Sequence, residues 1–202
     1  MKYLFPLIML CVSGCIKLLP DPLPPAQKIW LASSKPVVQN SDLNKHANIQ
    51  LIIEQPQLSA LLDSVKIQVI NQQNNIPTAT YLSGYELPDR LGNIIQQNLL
   101  QHFSASHHLF SVLPAEGNNN GSLKLKINLS MFTLNLMNQP TIIVEGQLTC
   151  IDVKANSIKD QQHLHFQVPN ISLNIVDITR GYSEALGILN QHCYNFMANY
   201  FN

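Results

Sequence analysis

Charge is scarce in this 202-residue chain. Asp, Glu, Lys and Arg make up 12 % of it, and 12 basic residues against 12 acidic ones cancel to a formal net charge of +0. Without a basic excess there is no electrostatic footprint for a polyanion, which disfavours nucleic acid as a partner. Cysteine is almost as rare: Cys11, Cys15, Cys150 and Cys193 are too few for a disulfide scaffold. No phosphate-cradling loop is present, because Gly92, Gly117, Gly121 and Gly146 fall in no Gly-x-Gly-x-x-Gly or Walker spacing. Ser33, Ser34, Ser83, Ser104 and Ser106 lack the Gly-x-Ser-x-Gly setting that exposes a nucleophile on a strand-to-helix turn. These absences point away from an enzyme. A transmembrane helix needs roughly 20 predominantly apolar residues, and the N-terminal apolar run from Tyr3 to Ile16 is interrupted by Pro6 and by Ser13-Gly14.

That run reads instead as a secretory signal. Lys2 supplies the positive end, residues 3–10 the apolar core, and Val12-Ser13-Gly14-Cys15 the small residues before a cysteine. The tetrapeptide resembles the bacterial lipobox, with Val12 where Leu is commonest. Cleavage is expected between Gly14 and Cys15, with a diacylglyceryl thioether on Cys15 and, by the same resemblance, an N-acyl chain. Two or more chains anchor stably where one binds only marginally, at about 0.8 kcal/mol per buried CH₂. Cleavage removes one charged residue, Lys2, leaving 11 basic against 12 acidic residues. The residue after the cysteine is Ile16 rather than the Asp that marks inner-membrane retention in many bacterial lipoproteins, so the expected address is the periplasmic face of the outer membrane.

The chain accordingly divides into a signal peptide (1–14), a lipidated cysteine with a Pro-rich tether (15–27) and one domain (28–202). Pro20, Pro22, Pro24 and Pro25 suit either an extended tether, at about 3.1 Å per residue, or irregular coil packed along the domain. Residues 28–33 read as a first strand carrying Trp30, the only tryptophan. Residues 48–53 suit a strand buried on both faces at one end, and residues 65–70 and 76–82 a hairpin around Asn74-Asn75. Leu91, Ile94, Ile95, Leu99 and Phe103 repeat at helical spacing behind Pro88. Leu123, Leu125, Ile127 and Leu129 alternate with polar residues, the clearest period-2 signal here. Strands are also expected at 109–113, 141–153 and 161–168. A closing helix from Asp177 or Thr179 carries Tyr182, Leu186, Leu189, Cys193, Phe196 and Tyr200 on one stripe. The predicted fold is α/β of the α+β kind: a single mixed sheet covered by two main amphipathic helices.

Other candidate chemistry is sparse. His163 and His165 share a face if their segment is a strand, but zinc takes three or four ligands. His107, His108 or His192 would have to be brought to them by the fold, and no metal site is assigned. Cys150 and Cys193 are expected on one core, either bridged to each other or as two buried thiols.

Three features of the chain resemble the auxiliary lipoproteins of ABC-type transporters, the PqiC (YmbA) group. They are the lipobox at Cys15 followed by Ile29-Trp30-Leu31 after a Pro-rich tether, Tyr85-Glu-Leu-Pro88 at the entry to the first helix, and the long alternating strand running to Phe132. The family's Pro-x-Tyr-Leu-Asp-Arg-Pro segment is not recognisable in residues 55–64. The resemblance implies a non-enzymatic subunit with no cofactor beyond the lipid on Cys15, docking to a periplasmic MCE-domain protein in transport between membranes. Edge strands also leave self-association open. The other function class compatible with the residues is a periplasmic metal- or small-ligand-binding lipoprotein using the histidines, with a tethered hydrolase as a weaker third.

Overall fold

One thirteen-residue strand, Leu123–Asn135, is the spine on which the rest of the sheet is hung. In chain order the elements are β1 (Gln27–Lys28), β2 (Ile49–Ile53), β3 (Gln57–Leu58), β4 (Lys66–Gln73), β5 (Ile76–Glu86), α1 (Leu91–Ala105), β6 (Phe110–Pro114), β7 (Leu123–Asn135), β8 (Thr141–Asp152), β9 (Ser157–Val168) and α2 (Ile175–Asn199). The computed structural model describes residues 24–32, 49–73, 76–105, 110–114, 122–137 and 139–199. On one side β7 pairs antiparallel with β8 along its whole length, and β8 pairs antiparallel with β9. On its other side β7 takes three parallel partners in succession: β2 at Leu123–Leu125, β3 at Asn128–Leu129 and β4 at Leu134–Asn135. β6 extends the sheet beyond β2, while β5 and then β1 extend it beyond β4. Among the described residues the result is a mixed, open nine-stranded sheet with two helices, an α+β fold.

Hydrophobic period explains which face the helices cover. Leu123, Leu125, Ile127 and Leu129 are buried at odd positions, and the buried set then switches to Phe132 and Leu134. A register shift between Leu129 and Met131 inserts one extra residue, Ser130, and turns the strand so that both sets face the same core. β8 answers with Ile142, Val144, Leu148 and Cys150, and α2 packs Tyr182, Leu186, Leu189 and Cys193 onto them in one cluster. α1 contributes Leu91, Ile95, Leu99 and Phe103 to the same core, the stripe expected from its spacing. Fully burying each such side chain contributes about 1.5–3 kcal/mol. Gly146 sits directly opposite Leu129 at the bulge. A Cβ there would overlap the Asn128 carbonyl oxygen and lie 2.9 Å from Leu129 Cα, so only glycine permits β8 to approach so closely.

Several sequence expectations are corrected. The first strand shrinks to Gln27–Lys28, with one further backbone bond from Ile29 N–H to the Glu86 carbonyl. Beyond it Ala32 N–H donates to the Ser183 hydroxyl of α2, so this segment leaves the sheet and follows the helix. Gln27, assigned to the tether, is already paired. β9 begins four residues before the expected 161. α2 begins at Ile175, ahead of Asp177, because Asn174 caps it: the Asn174 carboxamide oxygen accepts from Asp177 N–H at 2.9 Å while its NH₂ donates back to the Asp177 carboxylate. α1 is capped from a distance, the Asp63 carboxylate accepting from Gly92 N–H at 3.2 Å. The double-sided burial expected of β2 is present, since Leu51 and Ile53 face the cluster while Ile52 is buried on the other face beside Lys124. Residues 1–23, the turn expected at 74–75, Ser33, Ser34, Ser106, His107, His108, Gly117, Gly121 and Tyr200 lie outside the described residues.

Candidate functional site

β9 is the most exposed long element of the sheet, and its register follows from the turn that precedes it. Asp152 accepts a hydrogen bond from Ala155 N–H at 2.9 Å and pairs with Lys159 at 3.3 Å, while Asn156 takes a left-handed φ of 48°. The backbone N–H of Ala155, followed by Lys159, holds the Asp152 carboxyl below the usual carboxylate range. From there β9 runs antiparallel to β8 with one register shift beside Cys150. Leu164 and Val168 are buried on the helix side and Phe166 is half-buried there. His163, His165 and Gln167 are exposed on the opposite face.

Among the described residues β9 pairs with β8 alone, so its other edge presents backbone N–H and C=O groups with no described strand against them. Edge strands are usually blunted by charge, proline or shortness. This one has twelve residues, and after Asp160 it carries no Asp, Glu, Lys or Arg before Pro169 ends it. Such an edge can hydrogen-bond an added strand through its backbone and read alternate side chains on each face.

The histidines do not converge. His163 and His165 lie on the open face of the sheet, where His163 approaches Glu145 at 3.8 Å. His192 lies on the helix side, stacked on Phe166 with ring centroids 5.5 Å apart and an interplanar angle of 11°. The sheet therefore separates His192 from the other two. Among the described residues no three His, Cys, Asp or Glu side chains group as metal ligands. Ser83 and Ser104 are exposed, on β5 and α1 respectively.

Cys150 and Cys193 face one core, as their positions implied, and both are free buried thiols, so the bridge left open by the sequence is not formed in this structure. Burial, and after it Asp160 and Asp152, pushes the Cys150 thiol up to about 11; burial alone pushes Cys193 up. Thiols held protonated in this way are poor nucleophiles. Tyr182 is likewise a packing residue, tilted against Phe132 with centroids 5.5 Å apart and donating its O–H to the Gln68 carbonyl at 3.4 Å.

Solved structures share this fold, among them the following two. A protein of Xanthomonas campestris assigned to the DUF330 family superposes with a TM-score of 0.67 at 14 % sequence identity, over 78 % of this chain and 86 % of that one. An uncharacterized protein superposes with a TM-score of 0.60 at 10 % identity, over 77 % of this chain and 95 % of its own. At these identities the likeness is one of fold. No protein-family model and no curated protein matches the sequence.

Cys15 and the Gly14-Cys15 junction lie outside the described residues. Among those described, no helix is long and apolar enough to cross a membrane. Sequence reasoning missed the exposed neighbourhood of Trp30. Trp30 is 75 % exposed and Val176 71 % exposed, and the two line one hollow of about 310 Å³ between the β1 segment and the start of α2. The Asn174-x-x-Asp177 capping pair was the available signal: it would have started the helix early enough to place Val176 on its first turn.

Proposed function

We propose that this chain is a non-enzymatic, lipid-anchored protein of the bacterial envelope, held at the periplasmic face of the outer membrane through Cys15. In this reading it serves as the auxiliary subunit of an ABC-type intermembrane transport system and docks to its MCE-domain protein. The observation that carries the docking half is the outer edge of β9, unpaired among the described residues, twelve residues long and unblunted after Asp160. The lipobox and Pro-rich tether support the anchoring half. A fold shared over most of both chains with a DUF330 protein supports the family resemblance. The low charge fraction fits docking by backbone hydrogen bonds and shape rather than by long-range steering.

The test is affinity purification of the anchored protein from solubilised envelopes, with an MCE-domain protein, identified by mass spectrometry, as the expected co-purifying chain. Recovery of that protein supports the reading. Its absence, together with an intact envelope when the gene is removed, refutes it.

A further inference from the structure

The root of the tether lies beside an apolar surface. The described chain begins at Pro24, β1 follows at once, and Trp30 projects six residues after Pro24 with 75 % of its surface exposed. Facing it across the hollow are Ile175 and Val176, the latter 71 % exposed, and Leu173 on the approach to the helix is 63 % exposed. Lys28 lines the same hollow, and Arg180, one turn on from Val176, has 73 % of its side chain in solvent while it pairs with Asp177. Indole and aliphatic groups flanked by cations suit the head-group region of a bilayer, where an amphipathic ring is preferred and anionic lipids attract Lys and Arg.

The geometry points to a second membrane contact, carried by the domain itself: Trp30, Val176 and Leu173 seat in the interfacial layer of the phospholipid bilayer to which Cys15 is tethered. The chain outside the structure selects this occupant. Eight residues lie between Cys15 and Pro24, and the nine steps span at most about 28 Å in extended proline-rich geometry. A patch at the foot of so short a tether is held within reach of the lipid surface throughout the protein's life, whereas β9 is left for a protein partner. The inference rests on the anchored reading above.

Trp30 is the only tryptophan, so its fluorescence reports the patch without background. The full lipidated protein is reconstituted into phosphatidylethanolamine and phosphatidylglycerol vesicles with acyl chains brominated near the head group. The expected result is a blue shift and strong quenching of Trp30 emission relative to unbrominated vesicles. Both should be lost in the Leu173→Asn, Val176→Asn double variant, with both proteins still floating with the vesicles and melting at the same temperature. Emission that ignores bromination while the protein remains vesicle-bound overturns the inference and leaves the anchor intact. A protein that fails to float overturns the anchor instead. An emission shift that follows protein concentration without lipid, or that needs the MCE-domain protein, assigns the patch to a copy of the chain or to that partner and also overturns the inference.

Discussion

Replacing Gly146 by alanine tests the architecture at its tightest point. The new methyl would overlap the Asn128 carbonyl oxygen and come within 2.9 Å of both Leu129 Cα and Leu129 Cδ2. Two of these three atoms are backbone of β7 at its bulge, so no rotamer change relieves the contact. β7 and β8 would have to separate by on the order of 1 Å to restore a C···O distance of about 3.3 Å. Overpacking a core costs about 1–3 kcal/mol, and a clash with the spine of the sheet belongs at the upper end. For a domain of this size about 3 kcal/mol lowers the melting temperature by about 6–12 °C. The control is Gly84→Ala, where a Cβ meets nothing but φ is +80°, a left-handed conformation that costs about 1–2 kcal/mol. Urea and thermal unfolding should rank Gly146→Ala as the more damaging by at least about 1 kcal/mol. A Gly146→Ala protein as stable as wild type, or more stable than Gly84→Ala, would refute the close approach of β8 to the bulge.

Burial lowers the pKa of His102, which packs edge-on to Tyr194 with ring centroids 5.9 Å apart. The unfolded chain therefore binds its proton more readily, and stability should hold above about pH 7. It should then fall as pH drops through about 6.5, by at most about 1.4 kcal/mol per pH unit. His102→Phe should flatten that part of the profile in urea titrations, and an unchanged slope would contradict the burial. Cys150 and Cys193 should resist alkylation in the folded protein and take two labels in urea without reductant, read by intact mass; labels that appear only after reduction would establish a bridge. Metabolic labelling with palmitate should mark the wild-type chain and leave Cys15→Ala unlabelled, and label on the variant would rule out Cys15 as the acceptor.

How far the sequence could be read depends on the range of the interactions involved. The two helical stripes and the β7 alternation are local patterns, and the structure keeps Leu91 to Phe103, Tyr182 to Phe196 and Leu123 to Leu129 on the core as their periods required. The alternation expected to run on to Phe132 is broken instead: the buried set changes parity after Leu129, where Ser130 is the extra residue of the bulge. Sheet order was not visible, because β7 recruits β2, β3 and β4 from far along the chain and β3 is only two residues long. Residues 28–33 have the composition of a strand, yet Ser183 captures the backbone at Ala32 and only two residues pair. For the candidate site, the shared face of His163 and His165 was legible from alternation, whereas the outer edge of β9, unpaired among the described residues, and the hollow shared by Trp30 and Val176 depend on long-range placement. The separation of His192 from the other histidines by the sheet is of the same kind.

The proposal that the β9 edge meets an MCE-domain protein is tested most directly by site-specific photocrosslinking in intact cells. A photoreactive residue at His165 or Gln167 on β9 should give a crosslink to that protein, while one at Ser104, exposed on α1, should give none. Crosslinks from Ser104 alone, or from β9 only to other copies of this chain, would contradict the claim.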